Sequence, residues 1–205
     1  MVDMQGPGRA ADLNNQATRL LGSGKPKQAI QFLQEALALT PEDETLHFNL
    51  GHAFVSVGNL TNAEHEYKEA LHLLPDYPEA HNNYGNLLVR LGRLSEAEEQ
   101  LTEAVEQMPE SADFHNNLGV LRQRLKETNE ALLCFQKAIE CDSNHWQAHF
   151  NLALASLSRQ NLERGIPELR ATLKLRPGYE PAERELARVM GQASSNAPPG
   201  ALTPR

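Results

Sequence analysis

The segment HNNYGNLLVRLG (residues 81–92) is followed 34 positions later by HNNLGVLRQRLK (residues 115–126). Both space their apolar residues as a helix does, yet each places two adjacent asparagines inside it. Asparagine is disfavoured in a helix by roughly 0.5–0.7 kcal/mol against alanine, so the recurring pair needs a reason. A fixed spacing of this length is the mark of a repeat architecture. The rest of the chain supplies the other copies.

Setting Gly51 at position 8 of a 34-residue frame starts repeats at Ala10, Glu44, Pro78, Ala112 and Trp146. Position 8 then reads Ala17, Gly51, Gly85, Gly119, Ala153, and position 20 reads Ala29, Ala63, Ala97, Ala131, Gly165. Position 27 reads Ala36, Ala70, Ala104, Ala138, Thr172. Between these small residues stand bulky ones, with Leu33, Tyr67, Leu101, Phe135 and Leu169 at position 24. Position 32 is Pro41, Pro75, Pro109, Ser143, Pro177, and no gap is needed anywhere. Small residues at fixed places let neighbouring helices approach to about 8 Å. Gly24, Gly58 and Gly92 at position 15 fit the left-handed residue that ends a first helix. The prolines stop the second helix of each repeat. Lys126 and Gln160 at position 15 and Gly165 at position 20 suggest looser geometry toward the C-terminal end.

This pattern resembles the tetratricopeptide repeat family over residues 10–179. The resemblance implies an all-α fold, a right-handed superhelical α-solenoid of five helical hairpins (10–43, 44–77, 78–111, 112–145 and 146–179). Residues 180–192 continue in phase, with Leu186, Ala187 and Met190 apolar and Glu183, Arg184, Glu185 and Arg188 charged. That amphipathic segment predicts a capping helix, as a stacked array requires. Residues 1–9 and 193–205 lack periodicity and are expected to be disordered.

A net charge of −8 and scattered lysines and arginines argue against nucleic acid as a partner. No stretch reaches the roughly 20 apolar residues of a membrane span. The N-terminal segment has no signal-peptide pattern, and a cytoplasmic location is the expectation. Cys134 and Cys141, seven apart on one helix, rise about 10.5 Å and cannot pair.

No phosphate loop, nucleophile elbow or metalloprotease motif is present, so no enzymatic activity and no cofactor are expected. His47, His81, His115 and His149 recur at position 4. Successive copies lie too far apart to chelate one zinc ion, and partly buried packing histidines are expected instead. His145 and His149 are four apart, but His145 falls in the inter-repeat turn.

The asparagines are more telling. Position 6 is Asn15, Asn49, Asn83, Asn117 and Asn151 in all five repeats. Positions 2, 5, 6, 9, 12 and 13 share one face of the first helix by i, i+3, i+4 and i+7 spacing. That face adds Asn14, Asn82 and Asn116 at position 5, where Phe48 and Phe150 stand in the other repeats. Position 9 contributes His52 and Asn86, position 12 contributes Val55, Val89 and Leu157, and position 13 contributes Arg90 and Arg124. An asparagine amide offers two donors and one acceptor, which suits it to an extended peptide backbone. It suits equally a bond to a neighbouring helix. Both readings of the ladder remain open at this level.

In tetratricopeptide repeat proteins this face lines the concave surface. The units AHNNYGNLL, FHNNLGVLR and AHFNLALAS resemble the repeats of O-linked N-acetylglucosamine transferases, where an asparagine ladder holds extended polypeptide. The resemblance implies a binding mode and not that activity. A different branch of the family binds C-terminal acidic residues through lysines and arginines. Here positions 2, 5 and 6 carry neither in any repeat. The leading expectation is a non-enzymatic scaffold holding a protein or peptide partner in its concave groove. The second is a self-assembling homo-oligomeric platform that uses the array ends and outer face.

Overall fold

In the computed structural model, residues 5–195 are described, and they form eleven helices with no strand among them. The chain divides into two compact units, residues 1–109 and 110–205. The first holds α1 (Gln5–Gly22), α2 (Pro26–Leu39), α3 (Glu44–Ser56), α4 (Leu60–Leu73), α5 (Pro78–Leu91) and α6 (Leu94–Gln107). The second holds α7 (Ala112–Arg124), α8 (Thr128–Cys141), α9 (Trp146–Ser158), α10 (Leu162–Leu175) and α11 (Glu180–Ser195). The fold is the all-α helical-repeat solenoid that the spacing predicts.

Odd and even helices pair as hairpins through short turns. In the first unit α2 also packs on α3 and α4 on α5, while α1 touches α3 and α3 touches α5. In the second unit α8 packs on α9, α10 on α11, and α7 touches α9. Each hairpin therefore buries its apolar face partly against itself and partly against its neighbour, as stacked repeats do.

The small residues mark the places of closest approach. A Cβ on Gly51 would lie 2.8 Å from the Tyr67 ring, one on Gly85 2.6 Å from Leu101 Cγ, and one on Gly119 2.5 Å from Phe135 Cε1. In these three hairpins the space at position 8 is thus filled by the side chain at position 24 opposite. Ala29, Ala36, Ala63, Ala70, Ala97, Ala104, Ala131 and Ala138 are wholly buried beside these contacts. In the fifth repeat the same meeting is shifted: Gly165 faces Leu157, whose Cδ2 would stand 2.5 Å from an added Cβ.

Turn geometry is uniform along the chain, which corrects the expectation of loosening. Gly24, Gly58 and Gly92 have φ of 69°, 79° and 78°, and Lys126 and Gln160 at the same position have 66° and 61°. The last two repeats keep the left-handed residue without glycine. Lys126 N–H bonds the Gln123 carbonyl and Gln160 N–H the Leu157 carbonyl, so helix-end hydrogen bonding holds the conformation against its steric cost.

Two boundaries differ from the periodic reading. Helix α1 begins at Gln5, inside the segment 1–9 expected to be disordered; residues 1–4 lie outside the described residues. Pro7 sits in the first turn, where its missing N–H has no intrahelical acceptor to lose. Buried Ala10 and Leu13 anchor the next turn, and Arg9 reaches Glu35 of α2 at 2.5 Å. Helix α11 runs to Ser195, three residues past the expected 192, and the remaining tail 196–205 lies outside the described residues. Cys134 and Cys141 are not joined in a disulfide, and burial pushes the Cys134 thiol up.

Gly119→Ala is expected to destabilise by about 1–3 kcal/mol in denaturant unfolding, because the added methyl overpacks Phe135. Gly191→Ala, on α11 with nothing within 4 Å of its Cβ, is expected to gain up to about 1 kcal/mol. Lys126→Gly should raise stability by about 0.5–1 kcal/mol, since relief at positive φ outweighs the extra freedom of an unfolded glycine.

Candidate functional site

The candidate site is the position 6 ladder and its flanks. In the first unit α1 carries Asn15, α3 carries Asn49 and α5 carries Asn83; in the second, α7 carries Asn117 and α9 carries Asn151. Asn49 Nδ2 donates to Asn14 Oδ1 at 2.8 Å, and Asn151 Nδ2 donates to Asn116 Oδ1 at 2.9 Å. Both bonds run from position 6 to position 5 of the preceding repeat.

Where position 5 is Phe48, the next asparagine is held differently. Asn83 hydrogen-bonds the Tyr67 phenol, and its Oδ1 accepts from Asn82 Nδ2 at 3.2 Å. Burial pushes the Tyr67 phenol well above its ordinary range, so it stays a neutral hydroxyl. Phe48 itself packs on Tyr77 with ring centroids 5.0 Å apart, and Phe150 packs on Tyr179 at 5.2 Å. Tyr77 and Tyr179 both occupy position 34 of repeats with phenylalanine at position 5. The coincidence of Phe at 5 with Tyr at 34 was readable in the aligned repeats, and it is the signal that locates these rings.

The expected site residues therefore divide. Asn49, Asn83, Asn117 and Asn151 are half-buried, and Asn15 on α1 is exposed. Asn82 and Asn116 were expected to line the groove as contacts, but only 7% and 8% of each is exposed. They sit behind the ladder and bond to it. His52, Arg90 and Arg124 are exposed and Asn86 is half-buried. At position 12, Val89 and Leu157 are buried, since this turn of the helix faces the hairpin partner, whereas Val55 is half-buried.

The bonds leave part of each amide over. An asparagine has two N–H groups and one carbonyl oxygen. After its bond to the preceding repeat, the side chain of Asn49 or Asn151 retains one N–H and its oxygen. Beside Asn14, a cavity of about 430 Å³ is lined by Pro7, Ala10, Asn14, Asp43, Thr45 and Leu46, among others. It lies on the first unit, where positions 2 and 5 of adjacent repeats meet.

No group of His, Cys, Asp or Glu that could hold a metal occurs among the described residues. His145 and His149 are engaged otherwise. His145 Nδ1 accepts from the Ala148 N–H at 3.0 Å as the cap of α9, and its Nε2 lies 3.0 Å from Asp113 Oδ1. His149 Nδ1 lies 2.6 Å from Glu168 Oε2 and its Nε2 3.1 Å from the Ser143 carbonyl oxygen. Among the described residues no helix is long and apolar enough to cross a membrane.

Known families and folds agree with this architecture. Models of the tetratricopeptide repeat match residues 54–121, 112–145 and 134–166, and a TPR repeat model matches residues 20–58. No curated protein matches the chain. Among solved structures, pilF of Pseudomonas aeruginosa is 21% identical with a TM-score of 0.83, covering 93% of this chain and 88% of its own. MamA from Desulfovibrio magneticus RS-1 is 20% identical with a TM-score of 0.71, covering 83% of this chain and 97% of its own. YrrB, described as a TPR protein with an unusual peptide-binding site, is 22% identical with a TM-score of 0.66, covering 84% and 89%. At these identities the likeness is one of fold.

A double-mutant cycle with Asn14→Ala and Asn49→Ala is expected to give a coupling of about 0.5–1.5 kcal/mol in chemical denaturation. A coupling near zero would remove Asn14 as the partner of Asn49.

Proposed function

We propose that this chain, which belongs to the tetratricopeptide repeat family, is a non-enzymatic protein–protein interaction scaffold that binds an extended segment of a partner. The observation that carries the reading is the divided valence of the ladder amides. One N–H of Asn49 is fixed by Asn14, and one N–H of Asn151 by Asn116, which sets each amide plane. The remaining N–H and carbonyl oxygen are the complement of a peptide unit, which offers one acceptor and one donor. Such a contact holds main chain and is indifferent to sequence. His52, Asn86 and Arg90 in the first unit and Arg124 in the second would add side-chain preference.

Geometry favours an extended ligand. An extended chain advances about 3.3 Å per residue, while successive helices pack about 8–10 Å apart. A rung met once per hairpin therefore engages the ligand backbone every few residues. Each such contact contributes modestly, roughly 0.5–1.5 kcal/mol, so affinity would come from several rungs together. The fixed amides lower the ordering cost of binding. A described peptide-binding site on YrrB agrees in kind with this use of the fold.

Self-assembly, the second expectation, draws less support. The face of α11 that carries Glu185 and Arg188 is closed by their ion pair at 2.6 Å and presents charge where an end-to-end contact needs apolar area.

The test is affinity capture with mass spectrometry, comparing the wild-type chain with Asn83→Ala/Asn117→Ala. The double variant is expected to keep its helical circular dichroism and to lose the partners that the wild type retains. Undiminished capture of those partners by a folded double variant would assign the ladder to stacking alone.

A further inference from the structure

Three of the position 4 histidines share one geometry. His47 Nδ1 lies 2.7 Å from Glu66 Oε2 and its Nε2 3.0 Å from the Pro41 carbonyl oxygen. His81 Nδ1 lies 2.9 Å from Gln100 Oε1 and its Nε2 2.8 Å from the Pro75 carbonyl oxygen. His149 repeats the arrangement with Glu168 and Ser143 in the second unit. Each ring thus bridges position 23 on the hairpin's second helix and the carbonyl oxygen at position 32 of the preceding repeat. It ties three segments together at one point.

The chemistry of the bridge depends on position 23. A neutral imidazole has a single N–H, so it can donate to only one of two acceptors; imidazolium donates to both. Glutamate at position 23 is an acceptor only, and the carbonyl oxygen is too. The His47 bridge is therefore complete only with the ring protonated. Glutamine differs, because its amide can turn to present NH₂. With the Gln100 amide so turned, both contacts of the ring at position 4 can be made by a neutral imidazole, its Nε2–H donating to the Pro75 carbonyl oxygen.

We propose that the His47 bridge is a pH-sensitive junction between the first and second repeats, and that Glu66 at position 23 is what makes it respond to pH. The groups facing the ring are few. From α4 these are the carboxylates of Glu66 and Glu69, and from the α2–α3 turn the Pro41 carbonyl oxygen. The turn's own carboxylate, Asp43, is engaged as the cap of α3, accepting from Leu46 N at 3.0 Å. His47 and Glu66 are both largely buried, with 14% and 13% of their side chains exposed, so solvent screens the pair weakly. The hydrogen bond that His47 donates to Glu66 raises the His47 pKa above its ordinary 6.5 against the opposing effect of burial.

The direction of the response follows. A group whose pKa is higher in the folded state contributes stability that is full below its unfolded value. That contribution is lost as pH rises through the folded value. Below the ordinary value of 6.5 the bridge is whole, and as pH rises through the raised folded value of His47 the α2–α3 turn loosens from α4. Helix α3, which carries both His47 and Asn49, lies at that junction.

The test is thermal unfolding of the full chain from about pH 5.5 to about pH 8.5, the range in which histidine titrates. Glu66→Gln should shrink the fall in Tm toward alkaline pH by roughly 2–4 °C, and Gln100→Glu should enlarge it by a similar amount. The His47 ring protons, followed by NMR in the wild-type chain, should titrate above the ordinary histidine value. A Tm–pH profile unchanged in both variants overturns the proposal. So does a His47 titration at or below the ordinary value.

Discussion

The close contact between position 8 of one helix and position 24 of its hairpin partner governs the rest of the architecture. With Gly51 against Tyr67, Gly85 against Leu101 and Gly119 against Phe135, there is no room for even one carbon more. A ring or branched side chain pressed onto bare backbone fixes both the separation of the two helices and their rotation about their axes. Once rotation is fixed, positions 5 and 6 of the first helix are aimed together, and so is position 4. The ladder and the histidine bridges are consequences of that packing. They would not form on helices free to turn.

The asparagine pair carries two tasks that are usually assigned to different residues. Its inward bonds connect successive hairpins, and its outward capacity suits a peptide main chain. A side chain that performs only stacking could be replaced by an apolar residue of similar volume at little cost, since losing both partners of a hydrogen bond is close to neutral. An amide retained in every repeat, while positions 5, 9, 12 and 13 vary, is easier to understand when the group left over is also in use. The helix tolerates two poor formers in succession because stacking, not intrinsic propensity, stabilises it.

Legibility in the sequence followed the kind of constraint involved. The hairpins, their turns and the shared face of positions 5 and 6 follow from a 34-residue period and from helix geometry, which depend on the chain alone. The partner of each polar group does not. That Asn82 and Asn116 lie behind the ladder depends on side-chain depth, to which face arithmetic is blind: two residues on one helical face can differ by a full layer of packing. Lys126 and Gln160 misled for another reason. Glycine is favoured at positive φ by only about 1–2 kcal/mol, which local hydrogen bonding can override. The start of α1 at Gln5 was hidden because residues 1–9 carry no apolar periodicity. Proline in a first turn is no such signal.

Adjacent repeats must also agree with one another. Asn49 and Asn151 find their bonds at an asparagine in position 5 of the repeat before, and Asn83 at a tyrosine in position 24. The second repeat, with Phe48 at position 5, provides Tyr67 and is followed by Asn83. The fifth has Phe150 at position 5 but Leu169 at position 24, and so offers an amide nothing. Its successor carries Glu185 at the equivalent place, turned to Arg188 on its own helix. Repeats of this chain are therefore not interchangeable modules. The first, second and fourth hold half of a lock whose key is in the next, and a duplicated or transposed hairpin would keep its fold but lose its fit to the new neighbour.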